Sequence, residues 1–269
     1  MIPPDTLLHI YEIRGDVRIN LPSPPPSFIG LWNEEEFSYL FFNRSEDDFV
    51  NRIVDRQGLG PASRHVMKYD DWQSGIPSEG ISVAGLQFIS GDRPKLLREV
   101  IQLDPSVVFG DGNHPTTVSC LRALVRIVRS HRVGSFLDLG TGSGILALAA
   151  ARMGVKHVLA VDRNHLAIQV AQRNVAANSL STTVRVEEGE ARFFVDRPFQ
   201  VVAANLPFTV LRDLSTRAGM NRHKFWIVSG INQEQGDVLK DLFLEQGYDT
   251  FDETADPPWV TFTVVRRVS

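Results

Sequence analysis

The sequence predicts an α/β fold in which a mostly parallel, doubly wound sheet follows a small N-terminal α+β domain. From residue 85 onward, short apolar runs alternate with longer helical patterns, and this alternation is typical of parallel sheets. Before that point, residues 1–66 contain strand-like runs, a proline-rich break and one amphipathic helix, which indicates a separate small domain.

Each strand of the predicted large sheet is a short apolar run. In chain order the runs are SFLDLG, HVLAVD, TVRVEEG, FQVVAANL, KFWIVSG and WVTFTVV. The small-residue helix ILALAAARMG ends at Gly154, and the next helix has Asn164 at its cap. We expect the last run to close the sheet as an antiparallel strand.

The small domain is assigned to residues 1–66. LLHIYEIRG and EFSYLFF are its predicted strands, and SEDDFVNRIVDRQG is its predicted helix, with Ser45 as N-cap and Gly58 just past the end. Residues 67–95 are rich in turn formers and are interpreted as a connector. The large domain is then residues 96–269.

Length and composition restrict the function classes. The 269 residues are 43% hydrophobic and 22% charged, as in an ordinary globular protein. A net charge of −4 argues against a general nucleic-acid-coating protein, although a local RNA contact stays open. The only cysteine, Cys120, allows no intrachain disulfide, is expected to be buried, and argues against a cysteine-rich metal site, so no metal is predicted. Without a signal-peptide pattern or a membrane-spanning run, we expect a cytoplasmic protein with no membrane partner.

The segment FLDLGTGSGIL, residues 136–146, places three glycines directly after a strand. Gly140, Gly142 and Gly144 allow positive φ and a close approach to a ligand, and the N–H groups that begin the next helix favour a carboxylate or phosphate. The G-x-G-x-G spacing differs from the G-x-G-x-x-G of dinucleotide loops. It suits S-adenosyl-L-methionine, whose amino-acid end carries an ammonium and a carboxylate. The alternative is a tight strand-to-helix turn without a ligand.

Polar residues also end two other predicted strands. Asp162 ends HVLAVD, where its carboxylate can accept hydrogen bonds from ribose hydroxyls; alternatively it is only a favourable charge for the next helix. Asn205 ends the fourth strand in AANLPF, and its amide oxygen can accept a hydrogen bond from a substrate amine. Pro207 lacks a competing N–H and Phe208 can cover a cation, so both are predicted to lie near the substrate. The alternative is an ordinary turn.

The loop VVFGDGNHPTT, residues 107–117, precedes a long apolar helix. Its glycines and turn formers suit a loop that folds over a ligand, and Phe109 is predicted to be an aromatic cover for the cofactor. Proline and threonine suit a helix start. His114 is therefore interpreted mainly as part of that start, with direct catalysis as the alternative.

Taken in order, LDPSVVFGDGNHPTTVSCLRAL, DLGTGSGILALAAARMG, AVDRNHLAIQVAQRN and ANL resemble the ribosomal protein L11 lysine methyltransferases. The resemblance covers nearly the whole chain, and the FGDGNHPTT loop is its most specific part. It implies a Rossmann-like class I methyltransferase sheet, S-adenosyl-L-methionine as cofactor, and cofactor contacts by Thr117, Gly140, Asp162 and Asn205. It also implies that the small domain presents a protein substrate.

Three features depart from that family's pattern. Asp111 stands where the family usually has threonine in F-G-T-G, the N-terminal domain is shorter, and Pro207 creates NLPF. NLPF is closer to the motif of adenine N6-methyltransferases that act on ribosomal RNA. These departures concern the acceptor rather than the cofactor.

The resulting prediction is an S-adenosylmethionine-dependent protein N-methyltransferase that acts on lysine or α-amino groups, with Asn205 as its catalytic residue. The expected partner is a protein substrate, a ribosomal protein, and the expected state is a monomer. Three alternatives stay open: an RNA adenine N6-methyltransferase, a family member that acts on another protein, and a relative that only binds a partner. The acidic net charge counts against the first of these.

Overall fold

The computed structural model describes residues 2–3, 5–18, 24–34, 36–72, 76, 80–90 and 100–267. The chain divides into two compact units. The smaller comprises residues 1–75 with 164–166, and the larger comprises residues 76–163 with 167–269.

The smaller unit contains an antiparallel sheet in the strand order β2-β3-β1-β4. Its elements are β1 (Leu7–Arg14), β2 (Phe28–Glu34), β3 (Phe37–Phe42), α1 (Asp47–Gln57), β4 (Ser63–Lys68) and α2 (Tyr69–Trp72). Apolar residues of α1 recur at helical spacing, so Phe49, Val50 and Ile53 are buried in one cluster with Tyr11 and Phe42 of the sheet.

The structure confirms β1, β3 and α1, and Gly58 ends α1 with a left-handed φ of 63°. The predicted N-cap is wrong. The cap residue is Glu46, while the hydroxyl of Ser45 donates to the Asp47 carboxylate at 2.7 Å. Neither β2 nor β4 was predicted, because β2 directly follows the proline-rich break and β4 is mostly exposed and lacks an alternating apolar pattern.

A small three-stranded sheet begins the larger unit. It contains β5 (Ile81–Val83), β6 (Leu86–Ile89) and β7 (Val100–Gln102), in that order. Two of these strands belong to the residues interpreted from sequence as a connector. Leu86 and Phe88 of β6 are buried in the same apolar core as the first helices of the large sheet.

In the described residues, seven strands form the large sheet in the order β10-β9-β8-β11-β12-β14-β13. They are β8 (Ser135–Leu139), β9 (His157–Asp162), β10 (Val184–Glu188), β11 (Val201–Asn205), β12 (Phe225–Asn232), β13 (Tyr248–Asp256) and β14 (Trp259–Arg266). Strands β8 to β12 are parallel, and β14 runs antiparallel to both β12 and β13. The predicted α/β class and the antiparallel closing strand are both confirmed.

Helices cover both faces of this sheet. They are α3 (Pro115–Ser130), α4 (Ile145–Arg152), α5 (His165–Ala177), α6 (Phe208–Ser215) and α7 (Gln233–Glu245). Successive strand residues face opposite sides, so Phe136 joins the core beneath α3 and α4, whereas Leu137 joins the core beneath α6 and α7. Cys120 is fully buried, as expected, and burial raises the pKa of its thiol to about 12.

The helix cap predicted at Asn164 is confirmed, since its Oδ1 accepts a hydrogen bond from the Leu166 N–H at 2.9 Å. Among the helices of the described residues, none combines the length and the apolar character that a bilayer-spanning helix requires.

Two buried asparagines, Asn174 on α5 and Asn178 just after its end, hold the segment that leads into the 107–117 loop. Asn174 accepts a hydrogen bond from the Asp104 N–H at 2.9 Å, and its amide donates to the carbonyls of Asp104 at 2.9 Å and Ser143 at 2.8 Å. One turn later, Asn178 accepts from the Gln102 N–H at 3.0 Å and donates to the Gln102 carbonyl at 2.6 Å. The side-chain amides thereby supply the partners that a neighbouring strand would otherwise supply.

We expect Asn174→Ala to lower the free energy of unfolding by about 3 kcal/mol, because the buried Ser143 carbonyl and the two partly buried backbone groups of Asp104 lose their partner. Urea unfolding of the purified protein measures this change. Gln172→Ala, on the exposed face of the same helix, is the matched control and should change stability by less than about 0.5 kcal/mol. Equal effects of the two substitutions would refute this role of Asn174.

Candidate active site

The predicted site residues lie at the carboxyl edge of the parallel strands. Strand β8 leads into the glycine turn, residues 140–144, while β9 ends at Asp162 and β11 ends at Asn205. Because β8 lies between β9 and β11, the three strand ends are adjacent. This is the edge at which open parallel sheets bind ligands.

The glycine turn is held by hydrogen bonds within the protein. Gly140, Gly142 and Gly144 have φ values of 74°, 53° and 85°. All five backbone N–H groups of residues 140–144 donate at 2.8 to 3.0 Å, to the carbonyl of Val161 twice, the carboxylate of Asp162, and the carbonyls of Phe109 and Thr141. These donors are therefore engaged, and the turn favours a ligand that brings its own donors.

The 107–117 loop packs directly on this turn. The Ser143 hydroxyl donates to the Gly110 carbonyl at 2.5 Å, in addition to the backbone bond between Ser143 and Phe109. A Cβ atom on Gly142 would lie 2.5 Å from the carbonyl oxygen of Phe109, so only glycine fits at this position. The two sequence motifs thus form one structural unit.

Asp111, which departs from the family pattern, has a structural role in the loop. Its carboxylate is buried and accepts hydrogen bonds from the Asn113 N–H at 3.0 Å and from the Asn113 side-chain amide at 3.3 Å. Aspartate commonly closes turns in this way. We infer that Asp111 shapes the loop that places His114 at the start of α3.

A chain of hydrogen bonds connects His114, Thr116 and Asn205. The Thr116 hydroxyl accepts from the Asn205 side-chain amide at 3.0 Å and lies 2.8 Å from Nδ1 of His114. The Thr116 N–H also donates to Nδ1 at 3.4 Å, which makes Nδ1 an unprotonated acceptor, and the Thr116 hydroxyl proton is then donated to it. Burial lowers the pKa of His114, against the opposing charge of Asp111, and this favours the required neutral ring.

The hydrogen bonds among His114, Thr116 and Asn205 orient the side-chain amide of Asn205. Its nitrogen is engaged by Thr116, and within the part of the chain that the structure describes no group donates a hydrogen bond to its Oδ1. Gly230, with a φ of 86°, lies behind it; a Cβ there would be 3.0 Å from Oδ1 and 2.7 Å from the Leu206 carbonyl oxygen. The sequence offered only a glycine at a strand end as a signal for Gly230, and no signal for the Thr116–Asn205 pair.

Aromatic rings surround His114. The centroid of its ring lies 5.1 Å from that of Phe109 and 5.5 Å from that of Trp259. Phe109 is 44% exposed, so one side of its ring is open to a ligand. Trp259 begins β14 and was not predicted as a site residue, because only the antiparallel pairing of β14 with β12 brings it to this edge.

The remaining predicted residues lie close to the same strand end. Pro207 is exposed and is the N-cap of α6, while Phe208 is half-buried with the guanidinium of Arg212 5.7 Å from its ring centroid. Thr117 is 2% exposed, and its hydroxyl oxygen is buried with no hydrogen-bond partner among the described residues. The functional roles assigned to these residues stay predictions.

Asp138 supports the glycine turn from beneath and was not predicted as a site residue. Its Oδ2 accepts hydrogen bonds from the Thr141 hydroxyl at 2.6 Å and the Ala147 N–H at 3.2 Å. Burial raises the pKa of Asp138 to about 7; the hydrogen bonds from Thr141 and Ala147 oppose this rise, and the nearby charge of Asp162 adds to it. The folded state thus holds a proton that the unfolded state releases in weak acid.

We expect the stability of Asp138→Asn relative to the parent protein to increase with pH. The folded pKa of Asp138, about 7, lies above the unfolded value of about 3.9, so the parent protein loses stability as pH rises through this window. The neutral amide lacks this dependence. Between about pH 5 and about pH 8, the free energy of unfolding of Asp138→Asn minus that of the parent protein should rise by about 2 to 3 kcal/mol.

Urea unfolding at the two pH values measures the shift. Asp241→Asn, at an exposed position on α7, is the control for the same substitution away from the glycine turn. A difference for Asp138→Asn that stays constant between the two pH values would contradict the raised pKa.

The strand order and the site at the carboxyl edge define a Rossmann-like class I methyltransferase fold. The N-terminal domain of human METTL16 shares this fold, with a TM-score of 0.53 and 14% identity, over 62% of this chain and 75% of that one. At this level of identity the similarity concerns the fold alone. The ribosomal protein L11 methylase of Lactobacillus delbrueckii subsp. bulgaricus has a TM-score of 0.60 and 26% identity, over 69% of this chain and 96% of that chain.

Sequence comparison gives the family. The family model for ribosomal protein L11 methyltransferase (PrmA) matches residues 90–267. The ribosomal protein L11 methyltransferase of Staphylococcus haemolyticus is 35% identical over 270 residues, which cover 96% of this chain and 84% of that protein. The one from Exiguobacterium sibiricum is 32% identical over 181 residues, or 65% of this chain and 55% of that protein. The chain belongs to the ribosomal protein L11 methyltransferase family, although it spans about half the length of several curated relatives that it matches.

Proposed function

We propose that the protein transfers a methyl group from S-adenosyl-L-methionine to a lysine or α-amino nitrogen of a protein, with a ribosomal protein as the acceptor. The supporting observation is the Asn205 side chain at the carboxyl edge of the sheet. Thr116 engages its amide nitrogen at 3.0 Å, which directs Oδ1 toward a donor such as a substrate amine. Family membership supports the same activity.

The residues at this edge fit the cofactor. The glycine turn uses its own N–H groups internally, so it suits an ammonium-bearing ligand, and the Asp162 carboxylate suits ribose hydroxyls. The buried, unpartnered hydroxyl of Thr117 requires a partner, which a bound cofactor would supply. The residues that would hold the cofactor are Phe109, Thr117, Gly140, Gly142, Gly144, Asp162 and Asn205. When bound, the cofactor supplies an electrophilic methyl carbon on a positively charged sulfur.

The protein contributes mainly by aligning a neutral amine. A lysine ammonium has a reference pKa of about 10.4 and must lose a proton before its nitrogen can attack. The rings of Phe109 and Trp259 provide an apolar surrounding, in which desolvation lowers the pKa of an amine. Oδ1 of Asn205 then accepts an N–H of the amine and orients its lone pair. Because the Asn205 side-chain amide does not act as a base at neutral pH, the proton of the substrate ammonium leaves to solvent.

The smaller unit is proposed to recognise the protein substrate. It exposes three large apolar side chains, Leu7, Val66 and Trp72, which are 50%, 48% and 36% exposed. Leu7 and Val66 lie on the adjacent strands β1 and β4. Exposed apolar side chains of this kind suit a protein surface better than a phosphate backbone. A monomeric, cytoplasmic enzyme is part of the same proposal.

We expect Asn205→Ala to retain cofactor binding through the remaining contacts at Thr117, the glycine turn and Asp162, and to reduce methyl transfer at least about 100-fold, because the variant loses alignment of the amine. Thr116→Val should reduce transfer less, by about tenfold, since it only releases the Asn205 amide. Calorimetry with adenosylhomocysteine measures binding, and transfer of a tritiated methyl group measures activity.

Ser130→Ala, at the exposed end of α3, is the control and should leave both quantities unchanged. Full activity of Asn205→Ala would eliminate the proposed alignment role. Absence of adenosylhomocysteine binding by the parent protein would eliminate the cofactor assignment.

The acceptor class is tested by incubating the protein with tritiated S-adenosyl-L-methionine and ribosomal subunits. We expect the label to survive ribonuclease and to be lost with protease, because the acceptor is a protein amine. Label that survives protease and disappears with ribonuclease would favour the RNA adenine methyltransferase suggested by NLPF. A preparation with the Asn205→Ala variant controls for non-enzymatic labelling.

A further inference from the structure

The amino edge of the large sheet lies at the opposite end of the strands from the glycine turn. The loops that enter the strands there are joined laterally by hydrogen bonds. The bonds run from His157 N–H to the Gly134 carbonyl at 3.1 Å, from Gln200 N–H to the Ser135 hydroxyl at 3.0 Å, from Lys224 N–H to the Gln200 carbonyl at 3.1 Å, and from Arg266 N–H to the Lys224 carbonyl at 2.8 Å. Since adjacent strands lie about 4.8 Å apart, these loops form one continuous strip.

Exposed cations occupy this strip. Five of them, which we call the basic strip, form no ion pair with any residue that the structure describes: Arg132, Lys156, Arg222, Lys224 and Arg266. They adjoin β8, β9, β12 and β14, so they extend across most of the sheet. None of the five is neutralised by a carboxylate of the described residues, although the Arg266 guanidinium donates to the Asn221 carbonyl and the Lys224 ammonium lies 5.2 Å from the centroid of the Phe225 ring.

Some of the carboxylates near the basic strip are neutralised by arginine. Glu187, which lies toward the carboxyl end of β10, pairs with Arg185 at 2.8 Å and with Arg197 at 3.0 Å. Asp249 pairs with Arg267 at 2.8 Å. Three further exposed carboxylates near this edge, Asp196 before β11 and Asp241 and Glu245 near the end of α7, oppose the five cations, so the basic strip keeps an excess of positive charge among the described residues.

A cleft of about 600 Å³ lies at one end of the basic strip, beside β9 and β10. It is lined by Lys156, by the hydroxyl residues 181–183, by the half-buried ring of Phe199, and by Arg185 and Arg197, which both pair with Glu187 in the same lining. Cations and hydroxyls are the groups that contact phosphate oxygens, and an aromatic ring is the group on which an unpaired base stacks. The cleft therefore combines both features that bind single-stranded nucleic acid.

We propose that the basic strip and this cleft bind the phosphate backbone of single-stranded RNA. A linear row of cations matches a linear polyanion, and the cleft admits a nucleotide. Because the surface is at the opposite edge from Asn205, it serves as a docking site during methyl transfer and is independent of the acceptor's identity.

The test is binding of a fluorescent oligouridylate of about twelve nucleotides, followed by anisotropy between about 50 and about 200 mM salt. Five phosphate contacts predict a slope of log K against log salt of about −3.5. Lys156→Glu with Lys224→Glu should weaken binding at least about tenfold and reduce the slope by about 1.4. The neutral pair Lys156→Gln with Lys224→Gln should weaken binding less, with the same change in slope.

Arg52→Glu with Arg173→Glu is the matched control, because it gives the same net charge from exposed positions on α1 and α5. Its affinity for the oligonucleotide should lie within about twofold of that of the parent protein. All variants should retain adenosylhomocysteine binding and should unfold at the same temperature as the parent protein. The proposal is overturned if binding does not depend on salt, or if the control loses as much affinity as the strip variants. Binding to phosphatidylserine vesicles without binding to the oligonucleotide would also overturn it.

Discussion

The candidate site depends on the hydrogen bond between the Ser143 N–H and the Phe109 carbonyl. At 3.0 Å it joins the loop before α3 to the glycine turn after β8, two motifs that are far apart along the chain. The backbones approach so closely that a side chain at Gly142 would collide with Phe109. Once this contact forms, α3 begins at a defined place, and Thr116 reaches Asn205. One backbone contact thus positions both the glycine turn at the carboxyl edge of the sheet and the candidate catalytic residue Asn205.

Buried polar groups stabilise this arrangement at different depths. Asp138 lies beneath the glycine turn and accepts two hydrogen bonds, yet burial raises its pKa to about 7, so its charge is costly to the folded state. Asn174 is neutral and satisfies Asp104 and Ser143 without that cost. The site therefore combines a titratable support, whose contribution depends on pH, with a neutral support whose contribution does not.

The two edges of the parallel sheet differ in their chemistry. Parallel strands all end at one edge, where Asp162 and Asn205 present oxygen acceptors, and all begin at the other, where Lys156 and Lys224 are exposed cations. This separation allows cofactor and amine chemistry at one edge and binding of a polyanion at the other. The exposed apolar residues of the smaller unit add a third surface, which suits a protein.

The sequence by itself determined the α/β class, the glycine turn, the strand-end positions of Asp162 and Asn205, and the aromatic Phe109 in its loop. These features are local, since strand and helix periods and turn formers are visible within a few residues. Only the tertiary structure decided that Thr116 engages Asn205, 89 positions away, and that Gly230 makes room behind it. Strand β4 likewise required the structure, because a mostly exposed strand has no apolar alternation. Contacts of this kind arise from strand order and close backbone approach, which local periodicity does not encode.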